Sequence, residues 1–241
     1  MNRCIIPVVV LLMLVASAFC DDRVGGLWSR TAKSINQSAM PTDIPSPDGK
    51  KQLMASWLFD EKADDSFLKL SVRIGGKELT AQIKTGVNPE AMWAPDSTAF
   101  FITYSEGGLV GDCHVKVVWI GVTGLSISEP LVPTRKLFAP VCFKPEIPEV
   151  VGLAWPHGDS SQLLVALVVP GHSSCAGMGT FRTYQIDSRT GRVVASYSQL
   201  ESKRRFKGYL ASSLLEAEDE CARHPIPTRC RPRGMKGSAY K

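Results

Sequence analysis

The run Gly171-His172-Ser173-Ser174-Cys175 is the closest approach to a catalytic motif in this 241-residue chain. A serine flanked by glycines on a sharp turn between a strand and a helix is the nucleophile of α/β-hydrolases, so a serine hydrolase centred on Ser173 is one hypothesis. Cys175 stands where that motif has glycine, however, and residues 179–186 after it have the composition of a strand. We therefore assign no catalytic residues and predict that the chain is not an enzyme.

Side chains of the types that bind zinc also occur near this run, namely His157, Asp159, His172 and Cys175. Imidazole, thiolate and carboxylate groups are zinc ligands, but no pair of these residues has a recognised metal-binding spacing. The sequence also contains no Walker-type loop, Rossmann glycine pattern or paired-carboxylate signature. We predict neither a metal site nor a cofactor.

The first residues have the composition of an export signal. Arg3 supplies a positive charge, residues 5–15 are apolar, and Ala16-Ser17-Ala18 fits the small-x-small cleavage rule. We predict a signal peptide over residues 1–18, a periplasmic or secreted mature protein, and no stable membrane insertion after cleavage. The alternatives are an uncleaved anchor and a lipoprotein acylated at Cys20, although the bulky Phe19 replaces the small residue of a lipoprotein signal.

An oxidising compartment favours paired cysteines over catalytic ones. Cys221 and Cys230 are the first candidate disulfide, because they are close in sequence and two prolines bend the chain between them. Cys142 with either Cys113 or Cys175 is the second candidate.

The formal net charge of +5 is concentrated at the C-terminal end, where the last 21 residues include six Lys or Arg and no Asp or Glu. We therefore predict a disordered basic tail over residues 223–241 and no nucleic-acid partner. Before the tail, a helix is predicted over residues 201–222. Apolar residues recur there at the spacing of one helix face, namely Phe206, Leu210, Leu214, Ala217 and Cys221. Residues 19–43 are predicted to be a leader that packs one short strand, or a linker.

Three stretches repeat the order turn, apolar run, polar loop, apolar run and glycine-bearing turn. The paired runs are 52–59 with 67–74, 99–104 with 113–120, and 163–169 with 180–186. Short runs rich in β-branched and aromatic residues favour strands, and a recurrence about every 50 to 60 residues is typical of repeat proteins. The recurring Asp48, Asp96 and Asp159 are interpreted as turn residues.

Some of these segments resemble a known family. Pro47-Asp48-Gly49-Lys50, Trp93-Ala94-Pro95-Asp96-Ser97 and residues 184–191 are similar to the repeats of TolB-type, WD-repeat-like β-propellers of the bacterial periplasm. The resemblance covers residues 44–200 and implies four-stranded blades that form a docking platform. We expect an all-β, propeller-like array of three antiparallel blades with a C-terminal helix. A closed propeller needs at least four blades. We therefore expect either that residues 28–40 and 126–143 form an atypical fourth blade, or that the array is an open arc with an exposed edge.

The loops 61–66, 105–112 and 170–179 are longer and more polar than tight hairpins require, and propeller loops of this kind gather at one end. Our first hypothesis is an exported, non-enzymatic protein that binds a protein partner through these loops. The candidate binding residues are Asp64, Asp65, Glu106, Asp112, His172 and Ser173. An alternative hypothesis is an inhibitor or immunity-type protein that blocks a secreted enzyme by strand addition or loop insertion.

Overall fold

The computed structural model describes residues 25–36, 41–62, 65–107, 111–130, 138, 147–171 and 174–218. These parts of the chain are mostly β structure, with antiparallel sheets and two short helices. The strands are β1 (Lys33–Ser34), β2 (Thr42–Pro45), β3 (Lys51–Asp60), β4 (Asp65–Ile74), β5 (Lys77–Lys84), β6 (Val87–Trp93), β7 (Ala99–Ser105), β8 (Cys113–Ile120), β9 (Leu125–Ser128), β10 (Glu149–Ala154), β11 (Gln162–Val168), β12 (Phe181–Asp187) and β13 (Val193–Tyr197). The helices are α1 (Gln199–Arg205) and α2 (Ser212–Glu216).

Each of the three sheets is a meander in which consecutive strands pair. The first sheet has the order β2-β3-β4-β5, the second has β6-β7-β8-β9 with β1 added to the edge of β6, and the third has β10-β11-β12-β13. The predicted hairpins are confirmed as the two middle strands of each sheet. The first and last strands of each sheet were not predicted.

The sheets pack face to face in chain order, with the second sheet in the middle. Leu70 of the first sheet shares a hydrophobic core with Phe100 of the second. Phe101, which points the opposite way, shares another core with Val165 of the third sheet. Every residue of β7 is therefore buried, which explains why its sequence is apolar almost throughout.

The outer faces of the two end sheets differ. Leu164 and Phe181 on the third sheet are buried beneath Leu210 and Leu214 of the C-terminal segment. On the first sheet, outward residues such as Arg73 are exposed to solvent. The described sheets therefore form a stack that does not close into a barrel. The C-terminal segment covers one outer face, and solvent covers the other.

The structure corrects the expectation of a fourth blade from residues 28–40 and 126–143. Lys33–Ser34 pairs with β6 of the second sheet, and Leu125–Ser128 is the last strand of the same sheet. The remaining residues of the two segments are partly outside the described residues.

The prediction of one continuous helix over residues 201–222 is also wrong, because the structure has two short helices there. A capping box between Ser198 and Glu201 starts α1, which ends at Arg205, and α2 begins only at Ser212. Between the helices, Gly208 disfavours a helix and Leu210 makes an antiparallel bridge to Ser29. Phe206, Leu210, Leu214 and Ala217 still pack against the third sheet. Neither helix is long and apolar enough to cross a lipid bilayer.

Candidate functional site

The turns that join the first and second strands of each sheet lie together at one end of the stack. The amide of Asp48 donates to Ser97 Oγ over 3.2 Å, and the amide of Ser160 donates to Asp96 Oδ2 over 2.8 Å. We call this end the turn end. The second strand of each sheet leads away from it, so the connections between second and third strands lie at the opposite end, which we call the loop end.

Hydrogen bonds within the turns explain the recurring aspartates. Asp96 Oδ1 accepts from the amide and the hydroxyl of Thr98, and Asp159 Oδ1 accepts from the same two groups of Ser161. The hydrogen bonds from Ser161 hold the pKa of Asp159 below its ordinary value. These aspartates are thus turn residues, as predicted.

Two tryptophans join the first strands of neighbouring sheets. Trp93 Nε1 donates to the carbonyl of Ile44 over 3.0 Å, and Trp155 Nε1 donates to the carbonyl of Met92 over 3.2 Å. Each bond runs from the end of one first strand to the first strand of the preceding sheet. The first strands therefore lie side by side along one edge of the stack, which we call the inner edge.

The N-terminal segment, residues 25–36, crosses this inner edge, and we call it the strap. Its strand β1 pairs with β6 of the second sheet. Ser29 Oγ donates to the carbonyl of Leu153 in the third sheet over 2.6 Å, and Lys33 Nζ donates to the carbonyl of Asp43 in the first over 2.6 Å. The strap thus contacts all three sheets.

Glu90 of β6 holds the strap in place. Its side chain is fully buried, and its two carboxyl oxygens accept hydrogen bonds from the amides of Trp28 and Ser29 at 3.2 and 3.1 Å, with Leu27 as a further amide donor. A Cβ on Gly26 would lie 1.8 Å from Glu90 Oε2, so the approach requires glycine. Burial raises the pKa of Glu90 to about 8, and the three backbone donors oppose that shift.

The C-terminal segment closes over the same strap. The amide of Arg30 donates to the carbonyl of Tyr209 over 2.8 Å, and the amide of Ala211 donates to the carbonyl of Trp28 over 3.1 Å. Both ends of the described chain are therefore fixed beside the inner edge.

The predicted binding residues fall into separate groups at the loop end. Asp65 forms an ion pair with Lys84 at 2.6 Å, and Glu106 Oε1 lies 2.9 Å from His114 Nε2. The carbonyl of Asp112 accepts from the amide of Glu106 over 3.0 Å, which closes the base of their loop. The other three, Asp64, His172 and Ser173, lie outside the described residues.

An aromatic tip, formed by residues 57–59 of β3, was not predicted. The rings of Trp57 and Phe59 stack with centroids 6.1 Å apart, while Leu58 and Phe59 are 45% and 49% exposed. Trp57 Nε1 donates to the carbonyl of Gly86 over 3.1 Å, and Gly86 packs so closely that an added Cβ would lie 1.8 Å from the carbonyl oxygen of Ser105. The aromatic tip therefore lies beside the loop that carries Glu106.

Glu149, the first residue of β10, is a second buried glutamate, and it lies at the loop end. It is 5% exposed, and no hydrogen bond or ion pair joins its side chain to the described part of the chain. Burial, and next the negative charge of Asp112, raise the pKa of Glu149 to about 7. The neighbouring thiol of Cys113 also has a raised pKa, because of burial first and the charge of Glu149 second.

Sequence reasoning missed both buried glutamates because it predicted no strand around either of them. One sequence signal was present, because both glutamates directly follow a proline, in Pro89-Glu90 and Pro148-Glu149. In both places a tryptophan comes a few residues later, in or just before a turn. The structure places each pair at or near the start of the first strand of its sheet.

The remaining candidates are only partly described. Gly171, Ser174 and Cys175 lie in the connection between β11 and β12, and the chain that follows is a strand. Cys113 and Cys175 are buried, whereas Cys142, Cys221 and Cys230 lie outside the described residues, so the disulfides stay predictions. His157 Nε2 lies 2.6 Å from Gln185 Nε2. Within the described ranges, no three His, Cys, Asp or Glu side chains are arranged to hold a metal ion.

Comparison with known proteins finds no match to this chain among protein-family models, curated proteins or solved structures.

Proposed function

We propose that this chain is an exported, non-enzymatic binding protein, built as an open propeller-like array of three blades, that binds a protein partner at its loop end. The observation that carries the proposal is the aromatic tip. Its Leu58 and Phe59 are about half exposed, and its Trp57 is bonded to Gly86, which packs against Ser105 and Glu106 of the neighbouring loop. Exposed aromatic side chains next to polar groups are the residue types that dominate protein interfaces.

The blade interpretation is supported by three four-stranded meanders whose first strands lie together. In a propeller the blades surround an axis, and here the strap and the C-terminal segment occupy the corresponding inner edge. Because that edge is already covered, the loop end is the better surface for a partner.

The non-enzymatic interpretation is supported by the connection between β11 and β12. Gly171 and Cys175, on either side of Ser173 in the sequence, lie in the connection between β11 and β12, which leads into the strand Phe181–Asp187. A nucleophile elbow requires a turn into a helix.

Site-specific crosslinking in the native compartment tests the proposal. A photoreactive residue at position 59 is expected to capture a defined protein, and the same residue at position 122 is the matched control. Val122 is 90% exposed, is apolar, and lies in the turn between β8 and β9 at the turn end. Equal capture from the two positions, or none from position 59, would contradict the proposal.

The aromatic tip also fits the alternative of an inhibitor that inserts a hairpin into a secreted enzyme. In that case the captured protein would be an enzyme, and an equimolar amount of this chain would abolish its activity. A Phe59→Ser variant would restore that activity.

A further inference from the structure

The described chain ends at the loop end, beside the third sheet. Gln199 Oε1 accepts from the amide of Phe181, the first residue of β12, over 3.4 Å. The side-chain amide of Gln199 donates to the carbonyls of Ala217 and Glu218, each over 3.2 Å. Because β12 starts at the loop end, Glu218 lies there, and residues 219–241 continue the chain from this point.

The basic tail, residues 223–241, follows almost directly. It contains six Lys or Arg and no Asp or Glu, and four of the six are arginines. Ile226, Met235 and Tyr240 lie among these charges. A segment of this composition suits a surface that is both acidic and partly apolar.

The connections at the loop end of the first and second sheets carry the opposite charge. Residues 60–65 and 105–112 together contain six Asp or Glu and one Lys. Lys84 beside them pairs with Asp65, which still leaves the acids in excess. The corresponding connection of the third sheet, residues 170–179, contains no Asp, Glu, Lys or Arg. The acidic surface is therefore confined to the first two sheets.

This acidic surface includes the aromatic tip. Asp60 follows Phe59 directly in the chain, and both are exposed. Trp57 Nε1 donates to the carbonyl of Gly86, and an added Cβ on Gly86 would lie only 2.6 Å from Glu106 Cα. An exposed ring beside carboxylates suits arginine, because a guanidinium group stacks on aromatic faces and pairs with carboxylates.

We propose that the basic tail binds back onto the acidic loop end of its own chain and covers the aromatic tip until a partner displaces it. The inference rests on the proposed function, because the covered surface is the one proposed for the protein partner. It adds a regulatory role for the C-terminal end of the chain.

The tail is long enough for this contact. Stacked sheets lie about 10 Å apart, so the first sheet is about 20 Å from the third. An extended chain spans about 3.3 Å per residue, so Arg229, 11 residues after Glu218, reaches up to about 36 Å from it. Arg229, Arg231 and Arg233 are therefore within reach of both acidic connections.

The covalent link makes weak contacts sufficient. Exposed ion pairs are individually weak and are screened by salt. A linked segment has an effective concentration of about 1 mM, so contacts too weak to hold a separate peptide still keep the tail on the surface. A partner competes with the tail for the same surface, and the contact weakens as ionic strength rises.

Photocrosslinking in the purified mature chain tests the proposal. A photoreactive residue at position 59 is expected to crosslink to peptides from residues 223–241 in about 0.02 M salt, and at least about fivefold less in about 0.5 M salt. The same residue at position 122, an exposed apolar position at the turn end, is the matched control. Equal crosslinking to the tail from the two positions, or none from position 59, would overturn the proposal.

Isotope labelling distinguishes the chain's own tail from that of a second copy. Nitrogen-15-labelled and unlabelled proteins are mixed in equal amounts before irradiation. Contact within one chain gives crosslinked peptide pairs in which both peptides are labelled or neither is. Pairs that combine one labelled and one unlabelled peptide in statistical proportion would overturn the assignment to the chain's own tail.

Substitutions in the tail test the role of charge. Replacing Arg229, Arg231 and Arg233 together by glutamine is expected to reduce the crosslink from position 59 at least about fivefold, because the ionic attraction is lost. Lysine at the same three positions keeps the charge, and it is expected to reduce the crosslink less. An unchanged crosslink in the glutamine variant would contradict the proposal.

Substitutions on the surface test where the tail binds. Glu61→Gln combined with Glu106→Gln removes two exposed acids of the loop end and is expected to reduce the same crosslink. Glu78→Gln is the matched control, because Glu78 is exposed near the turn end of β5. Equal effects from the loop-end variant and from the control would overturn the assigned surface.

Failure of the inference is separable from failure of the proposed function. Tail crosslinks in the purified chain without a captured partner in the native compartment would leave the bound tail and remove the partner. A captured partner without tail crosslinks would leave the binding surface and remove its regulation. Where position 59 captures a partner, the glutamine variant of the tail is expected to raise that capture, and unchanged capture would overturn the competition.

Discussion

One glutamate is buried at the inner edge and another at the loop end, and the hydrogen bonding of their carboxyl groups differs. At the inner edge, Glu90 accepts three backbone hydrogen bonds from the strap. At the loop end, Glu149 is less deeply buried, and the described chain offers its carboxyl group no hydrogen-bond donor. The first carboxyl group organises the fold, and the second is left available.

This difference distinguishes a glutamate that stabilises the fold from one that remains available for function. No sequence motif in the chain makes that distinction. Natural folds satisfy their buried polar groups almost everywhere, and exceptions are concentrated at functional sites. The inner edge follows the rule, since strap, first strands and C-terminal segment exchange hydrogen bonds along it. The loop end differs, because it exposes the aromatic tip and leaves Glu149 without a hydrogen bond from the described chain.

The largest expected effect is at the inner edge. Glu90→Ala removes the acceptor for the strap amides and leaves a cavity, so we expect the free energy of unfolding to fall by about 3 kcal/mol or more. Urea denaturation monitored by tryptophan fluorescence measures the change. Glu90→Gln keeps the shape and one acceptor oxygen, and it should lose less. A fully stable Glu90→Ala variant would show that the strap is not anchored there.

The next largest effect is expected in the pH dependence of stability. Glu90 and Glu149 have folded pKa values of about 8 and about 7, above the ordinary 4.5, so the folded state binds more protons than the unfolded state between these values. Their contribution to stability is complete below about pH 4.5 and is lost as the pH rises. We expect the free energy of unfolding to fall by up to about 1.4 kcal/mol per pH unit for each carboxyl group.

Glu149→Gln tests which groups cause this slope. Between about pH 5 and 7 the variant should lose roughly half of the slope, because Glu90 still titrates. Denaturation curves at several pH values give the comparison. An unchanged slope would mean that Glu149 is not protonated in the folded protein.

A smaller effect is expected from Ser29, which connects the strap to the third sheet. Its buried hydroxyl donates to the carbonyl of Leu153 and accepts from the amide of Ala32 over 3.1 Å, so Ser29→Ala should cost about 1 to 2 kcal/mol. Ser34→Ala, at an exposed position of the same strap, is the matched control and should change stability by less than about 0.5 kcal/mol. Equal losses from both variants would contradict a specific role for Ser29.

The smallest effect on stability is expected at the loop end. Phe59→Ser removes a half-exposed ring and its stacking on Trp57, so the free energy of unfolding should fall by less than about 1 kcal/mol. Crosslinking of the partner through a photoreactive group at position 58 should nevertheless be lost in this variant. A large loss of stability would show that Phe59 acts as a core residue, and not as part of a binding surface.

The sequence predicted the parts of the fold that depend on neighbouring residues. The middle strands were found because their apolar runs are bounded by turn residues, and the Pro-Asp turns because aspartate bonds its own backbone. Strand β6 was missed because Pro89 argues against a strand, and the break between α1 and α2 because it depends on contact with Ser29.

The candidate site was less predictable, because its groups meet only after folding. Asp65, Glu106 and Asp112 were identified from loop polarity alone. Glu149 was missed, since its burial results from the packing of the second sheet on the third. No local pattern distinguishes it from Glu90, which follows a proline in the same way.

The most direct measurement compares Glu90→Gln and Glu149→Gln in urea denaturation at pH 8. At this pH the folded protein carries Glu149 mainly as a carboxylate that partial burial and the charge of Asp112 destabilise, so glutamine there should increase the free energy of unfolding. Glutamine at position 90 should decrease it, because its amide group cannot accept the strap amides as the carboxyl group does. Opposite signs are the predicted result, and a loss of stability in both variants would contradict the distinction between an anchoring glutamate and an available one.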